Sequence, residues 1–276
     1  MSRLTARSPG TRSGRGPLRS SLASFTCLLR AVPLFFCASP RTPLRVLCII
    51  ALDTIQAVRG CQRLSRQRRM ELATFLDFQA CTNAMWDGKP FCAAEYADLR
   101  RQLNLAGLER WVTEYLRLLC RLETRRPRVG GGLHRCDEVR SYREGVVRLS
   151  LATVAAIATN AESVEDGIRA TYADSDLAIL LRMAMQCQIV DDVVDYRNDV
   201  RARLPSFLTA SASLDDALAS TAEATRAYGR SRGRSCERGA LPFETALAVL
   251  TALTMVFVLA RASQRRRPFR APGDAS

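Results

Sequence analysis

Apolar residues recur at helical spacing through most of the chain. Runs with i, i+3, i+4 periodicity cover 67–86, 93–103, 107–123, 138–158, 175–198, 213–228 and 242–262, and the strict alternation of a half-buried strand is scarce. Pro90, the glycines at 130–132 and Pro205 fall between these runs, where the chain has to turn. Ser175 is placed to cap the helix entering LAILLRMAM, and Ser213 the helix containing LDDALAS. The pattern predicts a single all-α domain over 45–262, with an Arg/Ser/Pro-rich extension at 1–44 and a basic tail at 263–276. Both ends are expected to be disordered. At 276 residues the chain is long enough to bury a sizeable core.

The formal charge of +14 suggests a nucleic-acid partner until its distribution is read. Residues 1–70 hold 13 arginines and one acid, and residues 230–276 hold nine arginines and three acids. Between them, 71–229 has 19 basic and 23 acidic residues, so the part that reads as folded is slightly acidic. No basic stripe interleaved with aromatics supports nucleic-acid binding, and none is expected. The ten cysteines contain no C-x-x-C pair and the chain has one histidine, His134, so zinc spacing is absent. Reduced thiols in a cytoplasmic protein are the expectation.

The stretch 22–40 is apolar but interrupted by Arg30 and Pro33, and makes no clean signal segment. Residues 245–260, TALAVLTALTMVFVLA, are uncharged. As a helix they would span about 24 Å, short of a hydrocarbon core of about 30 Å, so a buried core helix is expected first. The RASQRRRPFR that follows would favour an anionic membrane surface, which keeps peripheral attachment open.

Chemistry concentrates in QCQIVDDVVDYRNDV, residues 186–200. At about 100° per residue, Gln188, Asp191, Asp192, Asp195 and Asp199 fall within an arc of about 100°. Further back the same stripe becomes Leu177, Leu181 and Ala184, so the helix is apolar at its start and acidic on one side at its end. Carboxylates this close repel one another, sit poorly near the negative end of a helix dipole, and cost several kcal/mol each if buried unsatisfied. Arginine partners or solvent could relieve them. A divalent metal is the economical answer, since Mg²⁺ takes one or two carboxylates plus waters and phosphate oxygens.

A second helix has the same layout. In ELATFLDFQACTNAMWDGKPF, Asn83 and Asp87 are i, i+4 neighbours above Ala80, Leu76, Ala73 and Leu72, while Asp77 lies off that stripe. Two such helices facing each other would form an apolar tube with a metal-binding mouth.

Gln188-x-x-Asp191-Asp192-x-x-Asp195 resembles the second aspartate-rich motif of class I isoprenoid synthases, most closely the trans-prenyl chain elongators. The continuation Asp199…Arg203-Leu204-Pro205 is similar to that of squalene and phytoene synthases, and the likeness spans about 68–228. It implies an all-α isoprenoid-synthase-type bundle with a central apolar cavity, acting on allylic prenyl diphosphates with Mg²⁺ by diphosphate ionisation. Condensation and cyclisation, transferase and lyase, remain alternatives. The metal ligands it implies are Asn83, Asp87, Gln188, Asp191, Asp192 and Asp195, and the diphosphate contacts are Lys89, Arg143 and Arg203. The usual D-D-x-x-D or D-x-x-x-D first motif is here only Asn83-x-x-x-Asp87, and Arg201 and Arg203 stand where elongators carry lysines. A non-catalytic helical protein of the same fold, binding a prenyl lipid or a protein partner, is the alternative. A homodimer stays open in either case. A membrane-embedded prenyltransferase would need many spans of about 20 apolar residues, and the chain offers one short candidate.

Overall fold

The computed structural model describes residues 43–130, 133–230 and 241–266. Among them the fold is all-α, with no strand and nine helices: α1 (Pro43–Val58), α2 (Arg66–Trp86), α3 (Ala93–Leu105), α4 (Glu109–Glu123), α5 (Cys136–Thr159), α6 (Val164–Ala173), α7 (Ser175–Ala202), α8 (Leu214–Gly229) and α9 (Leu241–Arg266). Of the expected disordered ends, 1–42 and 267–276 lie outside the described residues. The expected start of the tail at 263 falls inside α9, which runs on to Arg266.

Local chemistry sets the ends that matter for the site. Ser65 caps α2 by accepting the Arg68 N–H at 3.0 Å, and α2 stops at Asp87 because Gly88 turns into the left-handed region at φ 62°. Ser213 caps α8 as expected, accepting the Asp216 N–H. The cap of α7 is Asp174, one residue before the expected Ser175. Its carboxylate accepts the N–H groups of Asp176 and Leu177 and also holds Arg59, just past α1. A carboxylate at the positive end of a helix dipole satisfies both demands, which a serine hydroxyl would not. At the far end Arg203 takes the left-handed cap position at φ 54°, ahead of Leu204 and Pro205.

Packing arranges these helices around α5 and α7. Both α2 and α7 pack against α5 rather than against each other, and α8 and α9 flank α7 on its other side. One apolar core joins α1–α6 to the first half of α7. It takes in Leu72, Ala73, Leu177 and Leu181, the stripes expected to line a tube. A smaller core builds Met185, Ile189 and Val193 of α7 onto Phe207, Leu208, α8 and Val258 of α9. Asp77 faces Arg45 of α1, away from the stripe ending in Asn83 and Asp87.

The last helix departs from expectation. Phe243–Ser263 is long and apolar enough to cross a membrane, the single such stretch among the described residues, yet only 22% of its most apolar part is buried. It is not a core helix. One side packs on α7 and α8; the other is open.

Candidate functional site

The carboxylates of α2 and α7 meet at one cavity. Its volume is about 220 Å³, and its wall is Ala80, Asn83, Ala84, Asp87 and Lys89 from α2 and its exit, Gln188, Asp191 and Asp199 from α7, Glu123 from the end of α4, and Tyr142, Arg143, Val146 and Val147 from α5. The gap exists because α2 and α7 are held apart by α5, whose inward side chains form the floor. Six of the nine expected site residues line it: Asn83, Asp87, Lys89, Gln188, Asp191 and Arg143.

Asp192, Asp195 and Arg203 are not on that wall. Asp192 is 1% exposed and lies behind the wall, where it accepts the Phe207 N–H at 2.8 Å and the Gln188 side-chain amide at 2.7 Å. It also faces Arg143 at 3.1 Å. These contacts make Asp192 the anchor of the loop after α7 and the partner of Arg143, a role different from metal ligation. Asp195 sits at the rim, 3.6 Å from Lys89. Arg203 is exposed and serves as the α7 cap.

Arg126 and Glu123, absent from the sequence reading, shape the site as much as the expected residues. Arg126 donates to the Asp87 carboxylate at 2.6 Å and to the Trp86 carbonyl at 3.1 Å, and lies 3.4 Å from Glu123. Tyr142 donates its hydroxyl to Glu123 at 2.8 Å. Nothing local marks Arg126: it lies in an arginine-rich turn 39 residues from Asp87 and reaches the cavity only through the packing of α4 beside α5.

Around the cavity six carboxylates, Asp87, Glu123, Asp191, Asp192, Asp195 and Asp199, face three cations, Lys89, Arg126 and Arg143. The imbalance shows in protonation. Partial desolvation in the cavity wall pushes Asp191 up from the ordinary carboxylate range, with Asp195 adding to it. Burial likewise raises Asp199, although Ser206 donates to it. Asp192 is pushed up to about 6, burial outweighing Arg143, the Phe207 N–H and Gln188. The Arg143 guanidinium is held above its usual value because Asp192, Asp87 and Asp199 together outweigh its own burial.

Two polar groups of the site have hydrogen-bonding capacity that the described residues do not use. Asp191 makes no hydrogen bond or ion pair among the described residues and lies open at the mouth. Arg143 Nε is buried with no hydrogen-bond partner among them. The donors toward a cation are all oxygen: the Asp191 and Asp87 carboxylates, and the amide oxygens of Asn83 and Gln188. That is the set a hard, hydrated Mg²⁺ accepts when substrate oxygens and waters complete its shell. The fit has one condition, that Asp87 exchange Arg126 for the metal. Among the described residues no group of three His, Cys, Asp or Glu side chains is placed to hold a metal ion. Compared with family models, curated proteins and solved structures, the chain matches none.

Proposed function

We propose that the chain is a class I isoprenoid-synthase-type enzyme that binds the diphosphate of an allylic isoprenyl diphosphate in the cavity between α2 and α7. The observation that carries this reading is that Asp87 and Asp191, on helix ends far apart in sequence, line one cavity with Asn83, Gln188, Lys89 and Arg143. Magnesium held by Asp191, Asp87 and the amide oxygens of Asn83 and Gln188 would supply Lewis-acid stabilisation of the leaving diphosphate.

The chain's own groups divide the remaining work. Lys89 and Arg143 offer fixed positive charge to diphosphate oxygens, Arg143 through its spare Nε donor. The negative surplus of the site explains why a diphosphate needs an accompanying cation to enter. Ala80, Ala84, Val146 and Val147 exclude water where the allylic carbon would lie. There the C–O bond breaks, its electron pair leaves with the diphosphate, the allylic cation meets a prenyl double bond by condensation or cyclisation, and the new cation loses a proton to the released diphosphate. A volume of about 220 Å³ suits a diphosphate and the first carbons, being below the roughly 300 Å³ at which small-molecule pockets begin. The rest of a prenyl chain would part the stripes of Leu72, Ala73 and Leu76 on α2 and Leu177, Leu181 and Ala184 on α7, giving the central apolar chamber this reading requires. A cytoplasmic location goes with it.

One observation favours a second reading. Asp87 is already neutralised by Arg126 and Asp192 by Arg143, as suits a non-catalytic protein that binds a prenyl lipid or a protein partner. Incubation with farnesyl or geranylgeranyl diphosphate separates the two. The enzyme releases diphosphate only with Mg²⁺, and Asp191→Ala lowers the rate about 100-fold. A folded protein with no turnover on either substrate leaves only the binding reading.

A further inference from the structure

The apolar outer side of α9 has no partner among the described residues. Its outward positions Ala248, Val249, Ala252, Leu253, Val256, Phe257, Leu259 and Ala260 follow helical spacing, and the five larger ones are between 45% and 61% exposed. From Thr245 to Ala260 the helix carries no charge. Soluble monomers seldom leave so continuous an apolar strip uncovered.

Its inner side is fixed to the body. Phe243, Leu247, Thr254 and Val258 are buried, and Gln186 of α7 donates to both the Thr225 carbonyl of α8 and the Thr251 hydroxyl of α9, at 2.9 and 3.0 Å. Thr251 also fills the space beside Gly229, where a side chain on α8 would collide with it. A helix bound along its length to α7, which carries Arg182 and the acidic site, cannot cross a bilayer alone. It can present one face.

We propose that this face docks, lying flat, on an anionic lipid membrane. Charge decides the occupant. The sequence from 230 to 244 has Arg230, Arg232, Arg234 and Arg238 against Glu237 and Glu244, and the sequence from 265 to 276 has Arg265, Arg266, Arg267 and Arg270 against Asp274. A second copy packed on this face, parallel or antiparallel, would set one basic segment against another. An anionic surface meets both ends with opposite charge while the acyl boundary receives Val249, Leu253, Val256 and Phe257. This inference does not depend on the reading of the α2–α7 cavity.

Vesicle co-sedimentation of the full chain tests it. Binding is expected to vesicles of phosphatidylcholine with about 30% phosphatidylglycerol, to weaken with added salt, and to be far poorer to phosphatidylcholine alone. The paired substitution Val256→Glu and Phe257→Glu, on exposed positions, is expected to lower binding about tenfold without changing the helical circular dichroism. Val249→Gln with Val256→Gln gives the milder loss that keeps the test valid if the charged pair fails to fold. No binding to anionic vesicles, or equal binding by the variants, overturns the proposal. So does a dimer that the same substitutions dissociate while vesicles are ignored, which would assign the face to a second copy.

Discussion

Arg126→Gln tests how the cavity balances its charge. Arg126 and Asp87 are mostly buried, 19% and 17% exposed at the side chain, and lie 2.6 Å apart. Exposed pairs contribute about 0–1 kcal/mol, and breaking a fully buried one costs about 3–5 kcal/mol. A pair this enclosed falls between, so the variant should lose about 2 kcal/mol in urea unfolding with chelator present. Its freed Asp87 then sits in the same wall as Asp191, Asn83 and Gln188. If those oxygens form a magnesium site, the ion takes over the charge that Arg126 supplied. At a concentration 100 times its Kd, a ligand of the native state adds about 2.7 kcal/mol. Mg²⁺ at that concentration should therefore offset the whole loss, with a larger gain than wild type shows, and Asp87→Asn in the same background should abolish the gain. Equal Mg²⁺ effects in wild type and Arg126→Gln would refute the idea that Asp87 and Arg126 share a site that a cation can enter.

Two further predictions concern the frame and its protonation. A Cβ on Gly167 of α6 would lie well inside contact with the Ala152 carbonyl of α5 and 3.0 Å from the Ala156 Cβ, so Gly167→Ala should destabilise by about 1–3 kcal/mol in chemical denaturation despite alanine's better helix propensity. Asp192 binds its proton more tightly in the native protein, at about 6, than the ordinary 3.8 of the unfolded chain. Its neutral form thus contributes stability that is full below about pH 4 and lost as pH rises through about 6. Wild type should gain on Asp192→Asn in unfolding midpoint between pH 7.5 and 5, and parallel pH profiles would contradict this.

Much of the scaffold was legible because its helical runs are punctuated by caps and turn residues. The runs around 67–86, 175–198 and 213–228 match α2, α7 and α8 closely. Two helices escaped. In α1 apolar residues occupy most of the positions, and α6 is 10 residues long with Gly167 inside it. Periodicity likewise could not say which side of α9 would be covered, because apolar residues fill both.

At the site, the helical wheel grouped the right carboxylates but could not divide them. An arc of about 100° is wide enough for Asp191 to face the cavity while Asp192 faces Phe207 and Arg143. Which edge of the stripe meets which neighbour is a matter of packing. So is the arrival of Arg126 and Glu123, which depends on where α4 ends against α5.

Titration of the protein with inorganic pyrophosphate, followed by calorimetry with and without Mg²⁺, addresses the shared cavity directly. Saturable binding is expected only with Mg²⁺, and both Asp191→Asn and Asp87→Asn should weaken it. Binding of equal strength in chelator, or binding indifferent to both substitutions, would contradict the account.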